Sequence, residues 1–291
     1  MTRRIVVGVD GSEPATAAVR WAAADARRRG LALRIVHVCE QWPHGLAAFS
    51  AEYCAGALEA AADRARELAG GVEVTTELCA GNVIDELIGE SASADSLVLG
   101  SRGLGGFSGL LLGSVSTAVA GHARGPVVIV RGPGQEEHGQ EEPGQEEHGR
   151  IVVGYDGSEQ SEAAMEYAIE QARARHARLH VLYAWQLPMF SPYAAAYGSL
   201  LEKAFQHEVR IAGERVIPWR EKYPDIEISD EQLCEHPAGA LIKAATTADL
   251  VVVGSRGLGG FASAVLGSVS RAVLHHATCP VAVVRPHQER P

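Results

Sequence analysis

A chain of 291 residues is long enough for two ordinary domains. At 46% hydrophobic it can fill a core in each, mostly with Ala, Val and Leu because aromatic residues are scarce. Its 36 acidic and 26 basic residues leave a formal charge of −10, which argues against nucleic acid as the main partner. No stretch approaches the roughly 18 apolar residues of a membrane span, and the opening MTRRIVVGVDG reads as neither a secretory signal nor an anchor. Five cysteines with no C-x-x-C pair fit a reducing cytoplasm better than a disulfide framework.

Arg4–Val9 is a continuous apolar run of the kind that suits a parallel strand buried on both faces. Asp10-Gly11-Ser12 breaks it, and Ser12 is placed to cap a helix over Glu13–Arg29, which Gly30 ends. Leu33–Val38 reads as a second strand, His44–Ser50 as loop, Ala51–Ala69 as helix and Val72–Leu78 as a third strand. Ile84, Leu87 and Ile88 give the stripe of a short helix before a fourth strand at Ser96–Leu99. After a glycine-rich loop come a helix over Ser114–Ala123 and a fifth strand at Val127–Val130. Four β-α steps closed by a strand predict a parallel sheet with helices on both faces.

Residues 132–149, GPGQEEHGQEEPGQEEHG, hold no large apolar side chain and read as a flexible, solvated linker. The pattern then restarts: IVVGYDGSE at 151–159 repeats IVVGVDGSE at 5–13, 146 residues on. At the second glycine loop the displacement is 154, so a net eight extra residues fall between the second strand and third helix of that copy, around Leu187–Asp230. Two copies of this length predict a duplicated domain, 1–131 and 150–286, with a loose tail at 287–291. Each fifth strand, Val127–Val130 and Val281–Val284, would be an apolar edge if left alone, and antiparallel pairing of the two would hide both.

The chemistry concentrates in the loops GSRGLGGFSGLLLGSVS at 100–116 and GSRGLGGFASAVLGSVS at 254–270. Each lies between a strand and the start of a helix. Glycines expose backbone N–H groups without obstruction, and a helix N-terminus adds unpaired donors and partial positive charge. The arrangement predicts a phosphate cradle, present twice. Asp10 and Asp156 end the first strand of each copy, and if the first and fourth strands are neighbours both features face one crevice. A carboxylate repels phosphate, so these aspartates suit a sugar hydroxyl or a metal shared with the phosphates, with a turn or cap role as the plainer alternative. Arg102 and Arg256 lie within the loops, as phosphate contacts or as anchors for the neighbouring unit. Trp42 and Trp185 follow the second strands and are candidates to line the base side of the crevice, whereas Trp21 suits helix packing. His122, His275 and His276 fall near helix ends, where the dipole accounts for them. A dinucleotide fingerprint after the first strand, a Walker lysine and metal-spaced Cys/His clusters are all missing.

Gly100-x2-Gly103-x9-Gly113-Ser114 and Gly254-x2-Gly257-x9-Gly267-Ser268, with Ser116 and Ser270 at the second hydroxyl position, resemble the ATP-binding motif of the universal stress protein family. The openings IVVGVDGS and IVVGYDGS resemble the first strand and aspartate of that family, and LRIVHV at 33–38 extends the likeness. The resemblance covers both units and implies a tandem protein of the ATP-binding branch. Each half would be an open five-stranded parallel sheet in the order 3-2-1-4-5, Rossmann-like, with pairing through the last strands and a further homodimer open. It also implies one ATP per half, with Mg2+ held through the phosphates near Asp10 and Asp156. Val38 and Ala184 would give backbone contacts to adenine, the aspartates would take ribose, and Gly100, Gly103, Gly113, Ser114, Val115 and Ser116, with Gly254, Gly257, Gly267, Ser268, Val269 and Ser270, would take the phosphates. Gly81-Asn82-Val83 and Glu235-His236-Pro237 depart from the family's Gly-His-Pro. No general base, nucleophile or arginine finger is evident. The implied role is therefore regulatory, in the cytoplasm during bacterial stress or dormancy, with slow ATP hydrolysis or a nucleotide-free interaction module as alternatives.

Overall fold

The computed structural model describes residues 3–40, 47–104, 111–132, 148–186, 198–258 and 265–286. Among these, no helix is long and apolar enough to cross a membrane. The first half runs β1 (Arg4–Gly8), α1 (Glu13–Arg29), β2 (Ala32–Cys39), α2 (Ala47–Ala69), β3 (Val74–Ala80), α3 (Val83–Ser91), β4 (Ser96–Gly100), α4 (Ser114–His122) and β5 (Val127–Val130). The second repeats it as β6 (Arg150–Gly154), α5 (Glu159–Arg175), β7 (Arg178–Ala184), α6 (Gly198–Lys222), β8 (Ile228–Leu233), α7 (Pro237–Ala245), β9 (Leu250–Gly254), α8 (Ser268–His276) and β10 (Val281–Val284). Residues 133–147 of the linker, Trp42 and the tail at 287–291 lie outside the described residues.

Local chemistry explains the boundaries. Ser12 and Ser158 have extended backbones and accept from Ala15 N and Ser161 N, capping α1 and α5. Gly30 ends α1 in the left-handed region at φ 63°, which glycine enters without steric cost. Asn82 caps α3 through its Oδ1, and His236 caps α7 through its Nδ1, so the two departures from Gly-His-Pro perform one structural task. The helix predicted from Ala51 already begins at Ala47, and the third strand lies two residues later than expected, at Val74–Ala80.

Each half carries the strand order 3-2-1-4-5, and the two form one sheet, β3-β2-β1-β4-β5-β10-β9-β6-β7-β8. Strands within a half are parallel. At the centre β5 and β10 run antiparallel, with Ala282 opposite Val128 and Val281 opposite Ile129. The side chains of these strands alternate between two apolar layers. Val128, Val130, Ala282 and Val284 enter the layer beneath α1, α2, α5 and α6. Val127, Ile129, Val281 and Val283 enter the layer beneath α3, α4, α7 and α8. Both layers are therefore continuous across the seam.

One expectation needs correction. The structure joins Cys39, the last residue of β2, to Cys54 of α2 in a disulfide, with Cα atoms 6.0 Å apart. Sequence spacing pointed to thiols throughout, because a separation of 15 residues has no signature until β2 and α2 are packed together. Cys79, Cys234 and Cys279 are thiols.

Candidate functional site

Strand β1 lies between β2 and β4, so the sheet reverses direction of winding there and opens a crevice at the carboxyl ends. Asp10 leaves β1 into that crevice. Its Oδ1 accepts from Ser12 N at 3.0 Å, a local turn bond, and its Oδ2 accepts from Leu104 N of the glycine loop at 3.0 Å. Asp156 repeats both bonds, to Ser158 N at 3.0 Å and Leu258 N at 3.0 Å. The aspartate thus serves as the turn residue and also clasps the loop. Asp156 Oδ1 accepts in addition from the Ser158 hydroxyl at 2.6 Å. A carboxylate offers about four acceptor positions, so each retains some capacity beyond these bonds.

The loop glycines are required by close approach. A Cβ at Gly103 would collide with Oδ2 of Asp10, and one at Gly257 with Oδ2 of Asp156. A Cβ at Gly100 would stand 2.6 Å from the backbone carbon of Pro14, and one at Gly254 2.9 Å from that of Gln160. Only glycine lets the strand end, the loop and the first helix of each half meet.

Helices α4 and α8 both start at a glycine N-cap, Gly113 and Gly267, with extended backbone and no side-chain cap bond. Among the described residues, no side chain caps their first N–H groups, from Ser114-Val115-Ser116 and Ser268-Val269-Ser270, because the N-cap residue is glycine. The exposed Ser114 and Ser268 stand at the mouth. Ser116 and Ser270 are buried, and their hydroxyls donate to the carbonyls of Gly100 at 2.7 Å and Gly254 at 2.6 Å. Their protons fasten helix to strand, and the backbone N–H is what they have left to offer.

In the second half the crevice is a cleft of about 380 Å³ lined by Asp156, Tyr183, Ala184, Gly257, Ser268 and Ser270 among others. Glycine loop, aspartate and strand tip therefore face one space. In the first half Val38 holds the matching place beside the end of β2, next to buried His37. The His37 Nδ1 donates to the Val9 carbonyl at 2.8 Å. Burial depresses the His37 pKa, opposed by that bond and by the charge of Asp10. Tyr183 stands at the equivalent place, its pKa raised by burial and by Glu208, to which its hydroxyl donates at 3.2 Å. Trp185 tilts against the Tyr183 ring with centroids 5.5 Å apart.

Sequence reasoning missed the rim. Tyr53 of α2 donates to the Asp10 carbonyl at 2.9 Å, and Arg215 of α6 does the same for the Asp156 carbonyl at 3.0 Å. Different residue types in the segments of unequal length do one job, so no repeat marked them. Arg102 and Arg256 lie close enough to Arg131 and Arg285 for like-charge repulsion to add to burial in lowering the pKa of the latter pair. Arg131 itself reaches across the seam to the Leu274 and His275 carbonyls at the end of α8, at 3.1 and 2.6 Å.

Comparison with known proteins agrees with this architecture. The model of the universal stress protein family matches residues 1–131 and again 147–285. A universal stress protein of Mycolicibacterium smegmatis is 36% identical over 304 residues, covering 97% of each chain. One from Mycobacterium tuberculosis is 34% identical over 317 residues, covering 98% of this chain and 96% of the relative. Among solved structures, a universal stress protein from Archaeoglobus fulgidus superposes with a TM-score of 0.70 at 21% identity, covering 98% and 99% of the two chains, which supports the fold. With two family matches and near full-length relatives, the chain belongs to the universal stress protein family, as a tandem of two such domains.

Proposed function

We propose that each half binds one adenine nucleotide, ATP with Mg2+, and that the protein is a regulatory binder in bacterial stress or dormancy adaptation, acting in the cytoplasm. The observation that carries this reading is the pair of uncapped helix N-termini, α4 and α8, each opening beside a glycine loop clasped by an aspartate. Backbone donors and the helix dipole favour the phosphates there. The spare acceptor capacity of Asp10 and Asp156 suits ribose hydroxyls, and the tips of β2 and β7 at Val38 and Ala184 suit the base. The second cleft, at about 380 Å³, is in the range of small-ligand sites. Among the described residues no group of three His, Cys, Asp or Glu could hold a metal alone, so the phosphates would be the main ligands of Mg2+. Both oxygens of each aspartate already accept backbone N–H bonds, which favours grip over a base poised to activate water. The seam at β5 and β10 lets the pair act as a self-contained unit.

Calorimetry with ATP and Mg2+ tests the reading. Wild-type protein should take up about two nucleotides per chain, one per uncapped helix. Gly113→Asp places a carboxylate on the α4 donors and a negative charge where phosphate belongs. The nearest atoms to a Cβ there are 3.4 Å away, so the chain tolerates it. That variant should lose one site, Gly267→Asp the other, and the double variant both; a Cβ at Gly267 meets Arg256 Cα at 3.3 Å, so melting temperature is measured alongside to separate loss of binding from loss of fold. A wild-type stoichiometry near zero, or a double variant that keeps both sites, overturns the reading.

A further inference from the structure

The Cys39–Cys54 bond sits on the rim of the first crevice and on no other. Cys39 directly follows Val38 at the tip of β2. Cys54 directly follows Tyr53, whose hydroxyl donates to the Asp10 carbonyl and lies 2.7 Å from where a Gly11 Cβ would stand. The early turns of α2 are therefore attached to the crevice twice, covalently at the strand tip and by a hydrogen bond at the aspartate. From Ala51 to Leu58 only Cys54 and Leu58 are buried, and Tyr53 is 50% exposed. A segment with so few buried apolar contacts belongs to the low-stability end of a fold, so loss of one tether is felt locally. In the second half Trp185 stands where Cys39 does, and Arg215 holds the Asp156 carbonyl, so no sulfur is involved. A disulfide in a reducing compartment is more often transient than a permanent staple.

We propose that Cys39 and Cys54 form a reversible thiol–disulfide site that sets the nucleotide affinity of the first half alone. The inference rests on the nucleotide reading above. The oxidant is a low-molecular-weight disulfide. The partly buried Cys39 thiolate attacks one of its sulfurs, forming a mixed disulfide and releasing one small thiol. The buried Cys54 then attacks the Cys39 sulfur and releases the second. Two protein thiols and one small disulfide become one protein disulfide and two small thiols, and excess small thiol reverses the exchange. In the bonded form α2 is already ordered against Asp10, so ligand binding does not bear that ordering cost. Reduction loosens the early turns of α2 and weakens the site.

The test uses the full chain, with the bond state verified by mass and thiol count. In Gly267→Asp, which leaves the first site to be read alone, the oxidised protein should bind ATP about tenfold more tightly than the reduced one, a common size of coupling. In Gly113→Asp the second site should not respond to reduction. Cys54→Ser should hold the first site at the reduced affinity under either condition. Hydrogen exchange supplies a readout independent of nucleotide: reduction should speed exchange over residues 47–58 and leave α6 unchanged. First-site affinities equal within about twofold in the two redox states, or exchange in α2 that ignores reduction, overturn the proposal. Absence of ATP binding at both sites in both states sinks the nucleotide reading instead, and the exchange data then decide whether the thiol pair still controls α2.

Discussion

Replacing Asp25 by Asn tests the contact between the two halves. Asp25 on α1 is fully buried, as is Gln171 on α5. Asp25 Oδ1 faces Arg175 Nη2 at 3.2 Å, and Oδ2 faces Arg29 Nη1 at 3.4 Å and Gln171 Nε2 at 3.2 Å. Gln171 Oε1 accepts from Arg175 Nε at 3.1 Å, and the Arg175 guanidinium lies 5.1 Å from the centre of the Trp21 ring. The residues are paired by the repeat: Trp21 with Tyr167, Asp25 with Gln171, Arg29 with Arg175, each 146 apart. Removing one partner of a buried ion pair costs about 3–5 kcal/mol, mostly from the charge left behind. Arg29 keeps Asp95 and Glu170, so the stranded charge is Arg175, whose pKa burial already lowers. That places Asp25→Asn near the lower end, about 3 kcal/mol. Gln171→Glu should cost a similar amount by setting two carboxylates together. The exchange variant, Asp25→Gln with Gln171→Asp, carries the charge to the other side of a near-symmetric contact and should recover most of the loss. Urea unfolding followed by Trp fluorescence and circular dichroism gives the comparison. An Asp25→Asn protein within about 0.5 kcal/mol of wild type, or an exchange variant no better than the worse single one, refutes the reasoning.

Ser116→Ala and Ser270→Ala should each cost about 1–3 kcal/mol, because the Gly100 and Gly254 carbonyls lose a buried donor; thermal or urea unfolding checks this, and a neutral result means water replaces the hydroxyl. For His37 the sign follows from burial. Its folded pKa lies below the unfolded value of about 6.5, so its share of stability is complete above that value and is lost as pH falls through the folded pKa. NMR titration should find the His37 ring changing charge below pH of about 6.5, and a ring titrating above that value contradicts the burial argument.

The sequence was legible where one residue type has one physical meaning. Continuous apolar runs marked the central parallel strands, Ser12 marked a helix start, and the repeated glycine spacing marked the loop. It was illegible where meaning depends on what a residue meets. Asp10 in a D-G-S turn looks alike whether or not a loop N–H arrives at its second oxygen. The bond from the Ser116 hydroxyl to the Gly100 carbonyl is invisible until the strand end is placed beneath it. Cys39 and Cys54 look unrelated until α2 folds over β2. The polar cluster around Asp25 sits within an Ala-rich helix whose charged residues suggest only a solvated face.

The two halves have kept some features and exchanged others for a reason that lies in the geometry. The glycine loops persist because their constraint is steric and has one solution: a methyl group at Gly103 or Gly257 strikes the clasping aspartate, and one at Gly100 or Gly254 strikes the backbone of the first helix. Side-chain tasks have many solutions. Asn82 and His236 both cap the third helix of their half, and Tyr53 and Arg215 both hold the aspartate carbonyl. Such exchanges leave the cradle unchanged while altering what surrounds it, with His37 and a disulfide beside one crevice and Tyr183 and Trp185 beside the other. The surroundings can therefore differ in their pH and redox chemistry while the geometry of the cradle stays the same. Under the proposed reading, one ligand would then be held by two sites with different sensitivities, a use that two identical domains would lack.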